Sequence, residues 1–592
     1  MLKSSNYDKF PVIKAQANNC ITGWDTIAQE ILAAAATVQG KPVIAIECYP
    51  GVNTGEMRNG LLGTIKQADI IDTATAFKSE EEINKMVYPY VTDDPVFGYI
   101  TPLALKDFFD AEKVALLKAS VESAVNKLVL VIGAGASLIV EQPTLLIYAD
   151  MPRWEIQLRF RKQAVPNLGV SNNSAGFSYL YKRAFFVDWR VCDRQKKALK
   201  NKIDFWLDTT KADEPKLAAA AAINQALASA VQQPFRVVPF FDPGPWGGQW
   251  LKEAFDLDRS EKNFAWGFDC VPEENSLLIQ FKNEVFELPS INLVFDHPQE
   301  LLGEKVYQAF GDEFPIRFDF LDTMQGGNLS LQVHPLMEYI REKFGMGYTQ
   351  DESYYFLEAA DDAFVYLGLK ENIVPEKMIA ELESAQAGNG PFEAERYVEK
   401  WPIKKHDHIL IPAGTVHCSG ANSVVLEISA TPYIFTFKLW DWGRMGLDGK
   451  PRPISIAHGK NVVQWQRTTE WTKENLVNKF EPITEGEGWR EERTGLSTTS
   501  FIETRRHWFT KTVQHNTEGV VNVLNLIEGR EAIVESPVNA FEPFIIHYAE
   551  TFIVPAAVGA YSITPHGESS GKQCATIKAS VRTNNLKNYR IN

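Results

Sequence analysis

The sequence predicts a multidomain protein with an α/β N-terminal part and a mainly β C-terminal part. The chain of 592 residues is too long for one hydrophobic core, so two or three domains are expected. Residues 1–210 alternate short apolar strands with helical stretches, whereas strand signals dominate from residue 235 onward. These observations predict a parallel sheet with helices on both faces, followed by β domains that carry a small helical insert.

Three apolar segments predict strands of the N-terminal sheet: Val43–Tyr49, Lys127–Ile132 and Leu145–Ala149. Strands that are apolar on both faces are typical of parallel sheets, because helices cover such sheets on both sides. Trp24–Ala36 and Ala111–Lys127 have the apolar spacing expected of helices. The segments therefore predict one α/β domain in this part of the chain.

One loop of this domain invites comparison with phosphate-binding loops. Tyr49–Met57 follows a strand and contains two glycines, but Glu56 stands where a P-loop has its lysine. The order of features, with Leu145–Pro152 followed by Arg159 and Arg161, faintly resembles the uridine-kinase branch of the P-loop fold. Because an acidic residue at that place repels phosphate, we expect a degenerate domain with a structural or regulatory role.

The remaining chain divides by composition into three segments. Residues 211–234 are rich in alanine and predict a helical connector. Residues 235–470 predict a first β domain with a short helical insert at about 371–400, and residues 471–592 predict a second β domain.

Four potential metal ligands stand in the first β domain. Gln332 and His334 alternate along a predicted strand, so both point to the same face. Glu352 opens another β-rich run, and His417 follows the turn 412–414. Two imidazoles and a carboxylate suit Zn²⁺, which keeps an open position in catalytic sites. A small barrel could bring all four to one inner wall; the alternative is a barrel core with two hydrogen-bonded histidines.

The combined pattern resembles the class I mannose-6-phosphate isomerase family, a tandem cupin fold, over about residues 235–592. The ligand segments match the family's Gln-x-His-Pro motif, its Glu before an aromatic pair and its Pro-Ala-Gly-Thr-x-His motif. Further segments that resemble the family are Pro245–Gly248, Phe314–Asp322 and Leu439–Arg444. The second β domain lacks a histidine corresponding to His417, so we expect it to be metal-free and structural.

The resemblance implies an aldose–ketose isomerase with one Zn²⁺ per chain. It would interconvert mannose 6-phosphate and fructose 6-phosphate through an enediol, which requires a base at the carbon and an electrophile for the oxyanion. Glu427 matches a glutamate of the family and is the expected base; the alternative is a strand-end carboxylate paired with Lys438 or Arg444. The expected catalytic residues are Glu427, Lys438 and Arg444, and the expected substrate-binding residues are Trp246, Arg317, Ser330 and Gln350.

Three positions depart from the family pattern. Gln350 and Asp319 stand where the family has lysines, and Lys438 stands at the place of its catalytic arginine, without the bidentate guanidinium. An acid close to a phosphate dianion opposes its binding. Either Arg317, on the same face as Asp319, replaces the missing cation, or the substrate is a non-phosphorylated sugar. A non-catalytic sugar-binding or sugar-phosphate-binding regulatory protein is the remaining alternative.

Bulk properties narrow the possible partners. The net charge of −15 argues against nonspecific nucleic-acid binding, which requires clustered Lys and Arg. The six cysteines are widely spaced without a Cys-x-x-Cys pair, which is typical of free thiols in a reducing compartment. Neither a signal peptide nor a membrane-spanning run is visible. We therefore expect a cytoplasmic protein with a small-molecule sugar or sugar phosphate as partner; the sequence does not indicate the oligomeric state.

Overall fold

The computed structural model describes residues 5–16, 19–38, 40–126, 128–430, 433–445, 452–495 and 500–589. The chain forms two compact units. The N-terminal unit consists of Val12–Ser229 and Glu274–Asp296, and the β unit consists of Met1–Pro11, Ala230–Glu273 and His297–Asn592. The multidomain organisation and the large share of β-sheet agree with the sequence prediction. Residues 274–296 lie within the predicted first β domain, yet they belong to the N-terminal unit.

The N-terminal unit is built on a seven-stranded sheet. In spatial order its strands are β2 (Ile21–Thr22), β8 (Lys216–Ala219), β7 (Phe205–Asp208), β6 (Leu145–Asp150), β3 (Val43–Cys48), β5 (Val129–Gly133) and β4 (Asp69–Asp72). The strands from β7 to β4 are parallel, whereas β8 and β2 continue the sheet in antiparallel pairs, so the sheet is mixed. A smaller sheet contains β1 (Val12–Lys14), β11 (Ser276–Gln280) and β12 (Val285–Pro289).

Helices of this unit pack on the strands through apolar faces. In the first helix, Ile27, Ile31 and Ala35 recur at helical spacing and are buried in one core with Ile44 and Leu130 of the sheet. The helices are α1 (Trp24–Ala36), α2 (Thr54–Thr64), α3 (Glu80–Val91), α4 (Ala111–Ser123), α5 (Ala136–Ile139), α6 (Arg153–Arg161), α7 (Phe177–Arg183), α8 (Trp189–Leu199), α9 (Ala220–Ala230) and α11 (Ile291–Asp296).

The alanine-rich connector predicted at 211–234 is only partly helical. Helix α9 covers its second half, but residues 216–219 form strand β8, which pairs with β7. Leu217 and Ala218 are buried in the sheet, so tertiary packing overrides the helix preference of alanine here. The segment is therefore part of the N-terminal unit's sheet and core.

The β unit contains a first β domain of two antiparallel sheets. One sheet has six strands in the order β18 (His408–Ile411), β15 (Glu352–Ala359), β20 (Ser423–Ser429), β13 (Arg317–Asp322), β10 (Trp266–Cys270) and β9 (Phe240–Asp242). The other has five, in the order β17 (Val398–Pro402), β16 (Phe364–Leu369), β19 (His417–Ser419), β14 (Leu331–Val333) and β21 (Phe437–Trp440).

A second β domain of the same design follows. Its six-stranded sheet has the order β22 (Phe480–Gly486), β23 (Trp489–Thr494), β24 (Ile502–Phe509), β31 (Cys574–Val581), β26 (Asn522–Glu528) and β29 (Thr551–Val554). The four-stranded sheet has the order β25 (Val513–Asn516), β30 (Ala560–Pro565), β27 (Glu531–Glu535) and β28 (Phe544–His547). Apolar side chains of both sheets pack into one core, which includes Leu524, Phe552, Val534 and Ile563.

Short helices connect the strands of the β unit: α10 (Trp250–Ala254), α12 (Pro298–Leu302), α13 (Glu304–Phe310), α14 (Met337–Phe344), α15 (Pro375–Gln386), α16 (Ile456–Gly459) and α17 (Thr469–Asn475). Helix α15 lies where the sequence predicts the insert. Among the described residues, no helix combines the length and the apolar character needed to cross a bilayer.

Gly248, in the Pro-Trp-Gly-Gly segment, joins two edges of the first β domain. Its N–H lies 3.0 Å from the carbonyl oxygen of Phe264 and 2.8 Å from that of Asp322. The Asp322 carboxylate accepts hydrogen bonds from the backbone N–H groups of Leu251 (2.7 Å) and Met324 (2.9 Å). Burial raises the pKa of Asp322 to about 7. This junction fixes the start of the domain to the end of β13.

We predict that Gly248→Ala destabilises the β unit. An added Cβ would lie 2.1 Å from Asp322 Oδ1 and 2.6 Å from the backbone nitrogen of Met324, so the junction must shift. The expected loss in the free energy of unfolding is about 1–3 kcal/mol, measured by urea denaturation. Gly327→Ala is the matched control: its nearest neighbour would be 3.5 Å away, and a change within ~0.5 kcal/mol is expected. Equal losses in both variants would contradict the packing argument.

Candidate metal centre

The predicted ligands come from the two facing sheets of the first β domain. Glu352 begins β15 in one sheet, whereas Gln332 in β14 and His417 in β19 lie directly opposite each other in the other sheet. His334 follows β14. Three of these residues, His334, Glu352 and His417, are fully buried, and their ligand atoms lie within 4.8 Å of one another. The sheets therefore bring together residues that are far apart in the sequence.

Backbone contacts fix both imidazole rings. His334 Nδ1 lies 2.9 Å from the Phe435 carbonyl oxygen, and His417 Nδ1 lies 2.9 Å from that of Thr415. Because a carbonyl oxygen only accepts, each Nδ1 carries a proton and each neutral ring keeps its lone pair on Nε2. The Nε2 atoms face the Glu352 carboxylate at 3.1 Å from His334 and 3.0 Å from His417.

This donor set fits a divalent cation. Lone pairs of neutral imidazoles repel a carboxylate at such distances unless a positive charge lies among them. Within the described residues, His334 Nε2 and Glu352 Oε1 are buried without a hydrogen-bond partner. Two nitrogens and carboxylate oxygens that converge in this way are ligands that transition metals accept. The three residues therefore form a candidate metal site.

The pKa directions show that the cluster attracts positive charge, either a proton on His334 or a cation. Burial opposes the charged form of His334, but the carboxylate of Glu352 holds the pKa of His334 above its usual value. Burial lowers the pKa of His417, to which the charge of His334 contributes. Burial disfavours the Glu352 carboxylate, yet the two histidines together hold the pKa of Glu352 well below its usual range. The site therefore stabilises an anion that faces cationic or metal-binding groups.

Two amides flank the cluster. Gln332 Nε2 lies 3.1 Å from His417 Nε2, and the hydroxyl of Ser330 donates to Gln332 Oε1 at 3.0 Å. Since the two ends of an amide have the same shape, a rotation of Gln332 would place its oxygen toward the cluster. Gln350 Nε2 donates to Glu352 Oε2 at 2.8 Å and orients that carboxylate. Ser330 and Gln350 thus lie beside the cluster.

The predicted turn before His417 is held in part by Asp351 and Arg467, to which sequence reasoning gave no role. Gly414 has φ +87° and donates its N–H to the His334 carbonyl oxygen at 3.0 Å, which joins the turn to β14. Asp351 accepts from the Ala413 N–H at 2.8 Å, and Arg467 donates to the Ala413 carbonyl oxygen at 2.8 Å. Asp351 precedes the predicted ligand Glu352 in the sequence, and this position could have indicated its role. Arg467 lies in no motif.

Glu427 lies at the centre of the six-stranded sheet, next to the cluster. In β20 it is directly opposite Asp319 of β13 and Tyr354 of β15. Burial, then the carboxylates of Glu352 and Asp319, raise the pKa of Glu427 well above its usual range. A carboxyl group that holds its proton here can donate a hydrogen bond to Glu352. The charged residues that shift the pKa of Glu427 are acids. The alternative expected from the sequence was a carboxylate paired with Lys438 or Arg444.

Lys438 lies opposite Gln332 across β21 and β14. Burial, followed by the charges of Arg452 and Arg444, lowers the pKa of Lys438 to about 8. Lys438 is therefore a cation that can lose its proton near physiological pH. Lys438 therefore lies beside the predicted metal ligand Gln332 in the five-stranded sheet.

Arg444 has partners of its own. Its Nη2 forms an ion pair with Asp441 Oδ1 at 2.6 Å, and its Nη1 donates to the Asn328 carbonyl oxygen at 2.5 Å. Arg452 binds the other oxygen of Asp441 at 2.7 Å. Arg444 therefore holds the loop that leads into β14, and its predicted catalytic role stays a prediction.

Arg317 and Trp246 are also held inside the domain. Arg317 Nη2 lies 2.6 Å from Glu273 Oε1, and both side chains are buried. Trp246 packs edge-to-face on Trp266 with ring centroids 4.8 Å apart, and its carbonyl oxygen accepts the Gly327 N–H at 2.9 Å. These contacts give both residues a structural role, and their predicted roles in substrate binding remain untested predictions.

Residues of the N-terminal unit itself contact the loop 49–57. Arg159 donates to the Gly51 carbonyl oxygen at 2.9 Å, and a Cβ on Gly51 would lie 2.8 Å from the Ile156 side chain. The Asn53 side chain accepts the Glu56 N–H at 3.1 Å and caps α2. The loop's groups thus have internal partners, and the resemblance to P-loop kinases gains no support.

Comparison with known families gives one match to a family model, a domain of unknown function (DUF8485) at residues 23–232. Solved structures that resemble the chain include the mannose 6-phosphate isomerase from Bacillus subtilis, with a TM-score of 0.46, 18% identity and coverage of 59% of this chain and 99% of that chain. Another is a putative mannosephosphate isomerase from Archaeoglobus fulgidus, with a TM-score of 0.44, 18% identity and coverage of 59% and 97%.

Curated relatives give the sequence homology. Mannose-6-phosphate isomerase ManA from Bacillus subtilis is 26% identical over 235 residues, which are 39% of this chain and 68% of the relative. Mannose-6-phosphate isomerase from Streptococcus mutans is 26% identical over 223 residues, which are 37% of this chain and 64% of the relative. The chain is thus homologous to mannose-6-phosphate isomerases, which are aldose–ketose isomerases, over about 39% of its length.

Proposed function

We propose that this protein is a zinc-dependent aldose–ketose isomerase that interconverts mannose 6-phosphate and fructose 6-phosphate through an enediol. The observation that carries the proposal is the buried cluster of His334, Glu352 and His417, whose Nε2 and carboxylate atoms converge. The homology to mannose-6-phosphate isomerases supports the reaction class.

The ligands of the ion would be His334, His417, Glu352 and the amide oxygen of Gln332. Zinc accepts nitrogen and oxygen ligands of this kind and keeps an open position in catalytic sites. When bound, the ion would supply Lewis acidity that polarises an oxygen of the sugar. Gln350, which donates to Glu352, holds the carboxylate in the orientation that this arrangement requires.

Glu427 would move the proton between C1 and C2 of the sugar. Its position beside Glu352, between β13 and β15, places a carboxyl group next to the proposed ligands. Proton transfer by a positioned carboxyl group contributes about 10²–10⁴-fold to such reactions. Lys438, opposite Gln332, would attract negative charge that develops on the substrate oxygens or is present on a phosphate.

Asp319 favours a second candidate function. It stands where the resemblance predicts a phosphate-binding lysine, directly opposite Glu427, and Arg317 of the same strand is paired with Glu273. A phosphate dianion near Asp319 would be repelled. The second candidate is therefore an isomerase for a non-phosphorylated sugar, or a sugar-binding protein without turnover.

We predict that the metal depends on the cluster. The purified protein should contain about one divalent ion per chain. His334→Ala and His417→Ala should each lose this ion, because one imidazole and one carboxylate are too few ligands to hold it tightly. Elemental analysis after dialysis measures the content. His566→Ala, which changes a histidine of the second β domain, is the control and should keep the ion. Full occupancy in both cluster variants would remove these residues from the ligand set.

A coupled assay should separate the two candidate functions. We expect turnover of mannose 6-phosphate, and Glu427→Gln should lower kcat by about 10²–10⁴-fold while the metal content stays unchanged. Asp319→Asn removes the repulsion and should lower KM for mannose 6-phosphate but leave KM for free mannose unaltered. Turnover of mannose alone would favour the non-phosphorylated substrate. No turnover of either sugar by the metal-loaded protein would favour the binding protein.

Lys438 should set the alkaline limit for the phosphorylated substrate. Because its pKa is lowered to about 8, the ammonium loses its proton as the pH rises through that value, and KM for mannose 6-phosphate should increase. Lys438→Arg keeps its charge, since the pKa of arginine exceeds about 12, and should show a flat KM over the same range. Initial rates between about pH 6 and about pH 10 test this. An identical alkaline rise in wild type and variant would exclude Lys438 as its cause.

A further inference from the structure

The interior of the second β domain is apolar at one end and polar at the other. Phe509 of β24 and Cys574 of β31 are cross-strand partners in its apolar core. Side chains alternate along a strand, so His507 and Thr576, which are also partners, face the same interior. Two residues further along, Lys578 continues this face, opposite Leu524 of the core. The pattern places polar groups inside a domain that the sequence predicts to be purely structural.

Two histidines meet at the polar end. The rings of His507 and His515 have centroids 4.5 Å apart, and His515 stacks on Tyr561 at 5.0 Å. His507 Nε2 lies 3.2 Å from Glu491 Oε1, which engages one side of that ring. Both histidines are buried. They come from different sheets, and the two rings meet between the sheets at this end.

Several buried polar atoms here have no partner. In the described part of the chain, no hydrogen bond reaches His507 Nδ1, His515 Nε2 or Thr576 Oγ1. Buried polar atoms are almost always paired, because an unpaired one loses its hydrogen bonds to water without replacing them. Three such atoms on neighbouring residues indicate that a group outside the protein chain completes their hydrogen bonds.

Charges of both signs meet at this end, and one ammonium group there forms no ion pair with any described residue. Lys578 is 9% exposed, and no ion pair or hydrogen bond of its ammonium group is found among the described residues. Arg505, its cross-strand partner, is bound to Glu503 at 2.6 Å and Glu491 at 3.0 Å, so its charge is compensated. Burial lowers the pKa of Lys578; the charge of Glu491 opposes this shift, and the charge of Arg505 adds to it. A largely buried ammonium group that forms no ion pair favours an anionic ligand.

We propose that the second β domain binds a small oxyanion, the phosphate group of a metabolite or free phosphate, at Lys578, His507, His515 and Thr576. The ammonium group supplies the charge, and the hydroxyl and the imidazole nitrogens supply hydrogen bonds to oxygens. Burial lowers the pKa of His507, and a bound anion would raise it, so that His507 would then donate from both nitrogens as an imidazolium, to Glu491 on one side and to the anion on the other.

A cation is the less favourable occupant. The Lys578 ammonium group would repel it, and among the described residues the only cluster of three or more metal-ligating side chains is His334, Glu352 and His417. Water would satisfy the dipoles of Thr576 and the imidazoles but would give the Lys578 ammonium group no ion-pair partner. The proposal is independent of the isomerase function, because the site lies in a different domain and uses different residues.

The test uses the full chain with His334→Ala and His417→Ala, so that substrate binding at the first β domain is impaired. Inorganic phosphate, mannose 6-phosphate and mannose are titrated calorimetrically. Phosphate-bearing ligands should bind and mannose should not. Lys578→Met should weaken binding by at least about tenfold, equivalent to about 1.4 kcal/mol, whereas Lys572→Met, at an exposed site of the same domain, should not.

The affinities for inorganic phosphate and for mannose 6-phosphate distinguish a free-phosphate site from a metabolite site. Equal affinity for both phosphate-bearing ligands supports a free-phosphate site, and tighter binding of the sugar phosphate supports a metabolite site. His515→Phe keeps the stacking on Tyr561, removes Nε2 and should also weaken binding; circular dichroism verifies that each variant is folded. No phosphate binding, binding unchanged in both Lys578→Met and His515→Phe, or a second metal ion lost in His515→Phe would overturn the proposal.

Discussion

The first β domain depends on one electrostatic constraint, the Glu352 carboxylate held between two imidazole nitrogens. Removing a charge from water costs several kcal/mol, and facing lone pairs alone do not recover that energy. The rings cannot turn away, because the backbone carbonyls of Phe435 and Thr415 hold Nδ1 of His334 and His417. The same contacts aim both Nε2 atoms at the carboxylate, which is the usual arrangement around a metal-binding histidine.

Neighbouring charges extend this constraint across both sheets. Glu427 and Asp319 add acidic groups on one side, and Lys438 adds a basic group on the other. An ion among the ligands would reduce the repulsion among the acids and increase that on the lysine. A metal ion bound there would thus be coupled to the protonation of the residues around the cluster, as is common where interacting groups titrate together.

The sequence predicted the features that follow from local rules. Strand alternation placed Gln332 and His334 on one face, the β-rich run and the turn suggested Glu352 and His417, and the family resemblance combined the four into one pattern. Contacts between distant segments lay beyond such rules: Arg467 holds the turn at Ala413. The paired histidines of the second β domain also required coordinates, because nothing in their spacing marks them as neighbours. Strand β8 was missed because an alanine run has no pattern that distinguishes a sheet edge from a helix.

Residues 274–296 belong to the N-terminal unit although they are translated after part of the β unit, and this has a consequence for folding during protein synthesis. Asn292 in this segment donates to Asp150 at 2.8 Å, and Lys196 forms an ion pair with the same carboxylate at 2.8 Å. The N-terminal unit therefore cannot complete its buried contacts until residue 292 has left the ribosome. A nascent chain of the first 230 residues would expose this ion pair to water and hold an incomplete small sheet, with β1 present but β11 and β12 still unmade. Co-translational folding of this unit thus has to wait for part of the downstream sequence.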